Sequence, residues 1–102
     1  MVGPAPAISG NWEAALAAWL AAHRRYPEAA RRMGVQGRVV LRVTVARDGR
    51  VIGLVLAGPS GSALLDRAAM RVLQGATVPP FPAAMAQASV VVTVPLAYAL
   101  TN

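Results

Sequence analysis

His23 is the only histidine in the 102-residue chain, and no cysteine accompanies it. Without a thiol there is no cysteine nucleophile, disulfide or thiolate metal site, and a lone imidazole cannot complete a ligand set for zinc. The four acids are Glu13, Glu28, Asp48 and Asp66. Glu13, Glu28 and Asp66 fall at helix starts or early turns, where negative charge suits the helix dipole, and Asp48 belongs to a turn. None is spaced from another as a carboxylate pair for acid–base work. Gly58-Pro59-Ser60-Gly61-Ser62 imitates a phosphate-cradling loop but has no lysine, so it reads as a helix cap. His23 falls on the apolar side of a predicted helix near its end and reads as a packed or half-exposed helix residue. The sequence offers no catalytic residue, metal or cofactor site, and points to a binding protein.

What remains is charge and an edge. All ten cations are arginine, and the net charge is +6. That favours an acidic partner: nucleic acid, anionic lipid or polysaccharide, or an acidic protein surface. Arg24, Arg25, Arg31 and Arg32 cluster around Tyr26-Pro27, either as helix-end charges on solvated faces or as a docking patch. A nucleic-acid surface would add stacking platforms. Here Trp12, Trp19, Tyr26, Phe81 and Tyr98 mostly fall on predicted core faces. The second candidate is the valine-rich segment Val90 to Val94, an edge suited to pairing with an added strand.

Period and punctuation supply the elements that would carry these features. Residues 1–10, with Gly3, Pro4, Pro6 and Gly10, read as a linker, and 11–102 as one domain. Asn11 is placed to cap a first helix that ends at Arg24 and Arg25, with Trp12, Leu16, Trp19, Leu20 and His23 on one face. Pro27 suits the first position of a short second helix, which Gly34 would end. From Gln36 the period drops to two, with Val39, Leu41, Val43 and Val45 on the inner face. A two-residue Asp48-Gly49 turn would pair Val45 with Ile52, Val43 with Leu54 and Leu41 with Leu56. Ser62 or Ser60 caps a third helix striped by Leu65, Ala69, Val72, Leu73 and Ala76, and Gly75 stops it. The prolines of residues 77–87 predict an extended, ordered loop. In the last strand Val90, Val92, Val94, Leu96, Tyr98 and Leu100 face the core. Pro95, with no amide to donate, places that strand at the sheet edge.

The predicted class is α+β, in the order α-α-β-β-α-β: a three-stranded antiparallel sheet with helices packed on one face. The helical crossover between the second and third strands puts the first strand in the middle. Hydrophobic content of 56% raises the question of a membrane span, and residues 72–102 carry no formal charge. Gly75, Pro79, Pro80, Pro82 and Pro95 interrupt that stretch, so no window supplies the roughly 20 apolar helical residues a crossing needs. The start, Met1-Val2-Gly3-Pro4, lacks the pattern of a secretory signal and fits a piece of a longer protein.

The order of short motifs is distinctive. Tyr26-Pro27-Glu28-Ala29-Ala30-Arg31, then Gly34-Val35-Gln36-Gly37-Arg38-Val39, resembles the opening of the TonB C-terminal domain. So do Arg47-Asp48-Gly49-Arg50-Val51, Pro59-Ser60-Gly61 and Leu65-Asp66-Arg67-Ala68-Ala69, with Pro79-Pro80-Phe81-Pro82 fitting the family's proline-containing loop. The match runs over residues 12–100.

The resemblance implies a periplasmic domain at the end of a protein anchored in the bacterial inner membrane by an N-terminal helix and a proline-rich spacer. It implies a motor partner, ExbB–ExbD, driven by the proton gradient. It also implies a peptide partner, the TonB box of outer-membrane transporters for iron–siderophore complexes, haem or vitamin B12. That peptide would add a strand beside Ser89, Val90, Val91, Val92, Thr93 and Val94. Arg24, Arg25, Tyr26 and Pro27 would lie close to the receptor. A strand-mediated homodimer would use the same edge. Two other readings stay open: a TolA-like envelope scaffold, a class that normally carries disulfide cysteines, and a basic nucleic-acid-binding module.

Overall fold

The computed structural model describes residues 10–100. They form α1 (Gly10–His23), α2 (Glu28–Arg32), β1 (Gly37–Ala46), β2 (Val51–Gly58), α3 (Ala63–Leu73) and β3 (Ser89–Tyr98). The three strands make one sheet in the order β2-β1-β3, and both pairs are antiparallel. β2 and β3 therefore run parallel to each other on opposite sides of β1, joined by the α3 crossover. This is the predicted α+β class, with β1 central. The core brings Trp12, Leu16 and Leu20 of α1 and Leu65, Ala69 and Leu73 of α3 against Val39, Leu41, Val43 and Val45 of β1. Burying each large apolar side chain contributes about 1.5–3 kcal/mol, before entropy is charged against it.

The hairpin departs from the expected register at its tip. Ala46 N–H donates to Arg50 O at 2.9 Å and Gly49 N–H donates to Ala46 O at 2.8 Å. The loop is therefore Arg47-Asp48-Gly49, with Gly49 at φ +93°, a turn closed by a glycine bulge. The longer loop pairs Val45 with Val51 rather than with Ile52. Ile52 bulges out, 57% exposed instead of buried. That extra residue restores the expected pairs Val43–Leu54 and Leu41–Leu56.

Residues 76–81 explain why the tip takes this shape. Val51 N–H donates to Ala76 O, Val78 N–H to Gly49 O and Phe81 N–H to Arg47 O, at 3.0, 2.8 and 3.0 Å. The proline-rich segment is thus ordered, as predicted, by backbone bonds to the hairpin. A Cβ added at Gly49 would stand 2.0 Å from Val78 O, so only glycine fits.

The helices follow their caps with small shifts. α1 begins at Gly10, so Asn11 lies inside the helix instead of capping it; residues 1–9 of the expected linker fall outside the described residues. His23 is exposed, more open than the packed or half-exposed placement expected. It stacks on Trp19 with ring centroids 4.0 Å apart. Pro27 takes the N-cap rather than the first helical position, extended at ψ 134°, and its carbonyl accepts from Arg31 N–H at 3.0 Å. Gly34, at φ +68°, closes α2 as predicted: Val35 N–H reaches Ala30 O at 2.9 Å and Gly34 N–H reaches Arg31 O at 3.1 Å. Ser62 is the α3 cap, its Oγ accepting from Leu65 N–H. Ser60 instead holds the Asp66 carboxylate, through its N–H at 2.9 Å and its Oγ at 2.8 Å.

Candidate peptide-binding edge

β3 pairs with β1 along its whole length, from Ser89 opposite Ala46 to Tyr98 opposite Gly37. In an antiparallel ladder, alternate residues turn their backbone groups toward the partner and away from it. Arg47 N–H donates to Ala88 O at 2.9 Å, which assigns the even residues of β3 to the β1 side. Pro95, lacking an N–H, falls among the odd residues that face outward. The open edge is therefore formed by Ser89, Val91, Thr93, Pro95 and Ala97. The side chains follow the same alternation: Val90, Val94, Leu96 and Tyr98 are buried, whereas Val91 is 56% exposed.

Alongside this edge runs α1. Its N-terminal end is pinned where Trp12 Nε1 donates to Pro79 O at 2.8 Å, with the indole set edge-on to Phe81 at 5.0 Å. At the other end Arg24 Nη1 donates to Ala97 O at 2.6 Å. Helix and strand thus run in the same direction and enclose a groove of about 610 Å³. One wall is the strand from Val91 to Ala97; the other is Glu13, Leu16, Ala17, Leu20, Ala21 and Arg24. Ala17 and Ala21 lie between the two charged residues and leave the width to the groove. Spacing from Val91 to Ala97 corresponds to roughly 20 Å of extended chain, enough for a short peptide.

The residues singled out in the sequence divide into two places. Arg24 joins the β3 edge. Arg25 and Pro27 line a separate cleft of about 420 Å³ with His23, Ala68, Arg71 and Val72. Tyr26 is structural: its hydroxyl donates to Val35 O, and its ring meets Tyr98 edge-on at 5.4 Å. Arg31 lies over the Tyr26 ring at 5.5 Å, and Arg32 pairs with Glu28 at 3.4 Å on the surface. Of the strand residues, Ser89, Val91 and Thr93 present free backbone groups, while Val90, Val92 and Val94 turn theirs to β1. The helical wall of the groove was missed in the sequence. Glu13, Ala17 and Ala21 at four-residue spacing, with Arg24 one turn on, were its only signal.

Electrostatics at the site are simple. Burial pushes the Tyr98 phenol above its usual range, partly opposed by the Arg24 charge, so the ring stays neutral beside the groove. Among the described residues no group of His, Asp or Glu is arranged to hold a metal ion. No helix of the described residues is long and apolar enough to cross a membrane.

The uncovered edge of β3 beside a small-residue helix wall is the candidate site of the domain. The family described as Gram-negative bacterial TonB protein C-terminal matches residues 22–100, and the chain belongs to that family. A curated relative, Protein TonB of Pseudomonas putida, is 41% identical over 95% of this chain. The chain spans 43% of that relative's length. The solution structure of the Helicobacter pylori TonB C-terminal domain, residues 179–285, superposes with a TM-score of 0.77 at 24% identity, covering 95% of this chain and 88% of the other. The HasB C-terminal domain superposes at 0.53 with 30% identity, covering 90% and 72%. The family is non-enzymatic, and its domains lie in the periplasm of Gram-negative bacteria.

Proposed function

We propose that this chain is the receptor-gripping domain of a TonB-type energy transducer. It binds the TonB box of an outer-membrane transporter as an added strand in the groove between β3 and α1. The observation that carries the reading is the open edge at Ser89, Val91 and Thr93, of which Val91 and Thr93 line the groove with Ala17 and Ala21. Three consecutive outward rungs supply several backbone hydrogen bonds, each worth about 0.5–1.5 kcal/mol net. Binding is accordingly weak and reversible, as a cyclic transducer needs. Upstream sequence would anchor the protein in the inner membrane and connect it to ExbB–ExbD. The proton gradient would thereby drive uptake of siderophore-bound iron, haem or vitamin B12. Without a peptide, a second copy of the chain is the competing occupant of the edge, giving a strand-mediated dimer.

Titrating a TonB-box peptide into the labelled domain and following its amide resonances tests this. Shifts should centre on residues 89–94 and on Ala17 and Ala21. Shifts centred on α2 and α3, with Ser89–Val94 unmoved, would overturn it.

A further inference from the structure

We infer that Arg24 is a register stop: it fixes how far an added strand can pair along β3. This rests on the strand-addition reading above. A ladder needs a donor and an acceptor from every second residue. Ser89, Val91 and Thr93 each offer both to the open edge. Pro95 offers a carbonyl and no donor. At the next rung the Ala97 carbonyl is already occupied by Arg24 Nη1 at 2.6 Å. The same guanidinium lies over the Tyr98 ring, 5.9 Å from its centroid, so two contacts hold it in place.

The two interruptions differ in kind. Pro95 is a permanent gap, written into the covalent chain. Arg24 is a removable one, because its side chain is exposed and can swing away. While it stays, a peptide reaching Ala97 has to replace a charge-assisted hydrogen bond by a weaker neutral one, and the exchange gains nothing. The other charged residue of the groove, Glu13, lines its opposite end and does not draw Arg24 off. Productive pairing is thereby confined to the rungs before Pro95. The far end of the edge is also closed to stray strands, a protection edge strands commonly need.

The test compares a short TonB-box peptide, matched to Ser89–Thr93, with the same peptide lengthened at one end or the other. Each is titrated into the unaltered domain and into Arg24→Ala, with amide exchange followed at Ala97. In the unaltered domain the short and lengthened peptides should bind within about twofold of one another. In Arg24→Ala one of the lengthened peptides should bind about 5–10-fold more tightly than the short one, the gain of one or two added backbone bonds. The Ala97 amide should become protected only in that pairing. Equal gains from lengthening in both proteins, or no gain in either, would overturn the stop. Failure of every peptide to perturb Ser89–Thr93 would instead overturn the strand-addition reading beneath it.

Discussion

A proline at Val91 and a proline at Val92 should do different damage, although the residues are neighbours. Val91 turns its N–H to the open edge, so Val91→Pro removes a groove donor and no bond to β1. Peptide affinity should fall about 2–10-fold, the value of one hydrogen bond, with the melting temperature nearly unchanged. Val92 turns its N–H to β1, opposite Val43. Val92→Pro should cost about 1–3 kcal/mol by leaving a β1 carbonyl unpaired, visible in chemical denaturation even without peptide. At the hairpin tip, Gly49→Ala meets both a positive φ and the Val78 carbonyl. The left-handed conformation alone costs about 1–2 kcal/mol, and displacing residues 76–81 adds to it. Denaturation midpoints should record a loss above that range.

At the scale of the element, the hairpin turn should be sensitive to acid. Asp48 accepts from Arg50 N–H at 3.1 Å and from Arg50 Nε at 2.9 Å. These bonds, led by the backbone one, hold its carboxyl below the usual value of 3.8. A group lowered on folding contributes stability above its unfolded pKa, and that contribution disappears as pH falls through the folded value. The stability difference between the native domain and Asp48→Asn should therefore be constant near neutrality and shrink below about pH 4; a difference that grows on acidification would contradict the assignment. Alternation was enough to place β1 and β3, and Pro95 was enough to put β3 at the edge, because these depend on local period and one missing donor. Gly34 and Ser62 marked helix boundaries for the same reason. The turn was not legible, since its loop length answers to backbone bonds from residues 76–81, far along the chain. Nor was the groove. The wall formed by Ala17 and Ala21 exists only once Trp12 and Leu16 have seated α1 against the core.

For the whole molecule, the +6 charge acts at a distance, over a screening length of about 8 Å in physiological salt. The side chains of Arg25 and Arg71 make no hydrogen bond or ion pair within the described residues and line the second, separate cleft. Arg25→Gln should slow association with an acidic receptor surface, flatten its salt dependence and leave thermal stability unchanged; stopped-flow rates at low and high salt decide it. The unbroken β1–β3 seam has a mechanical consequence. All ten residues of β3 are in register with all ten of β1, whereas a peptide docked as proposed would engage only the rungs before Pro95. Tension applied along the peptide loads the two seams in series and in shear, and the shorter seam ruptures first. On the proposed reading the peptide junction would work as a fuse, slipping before the domain tears, so that one molecule would pull, let go and pull again without refolding between strokes.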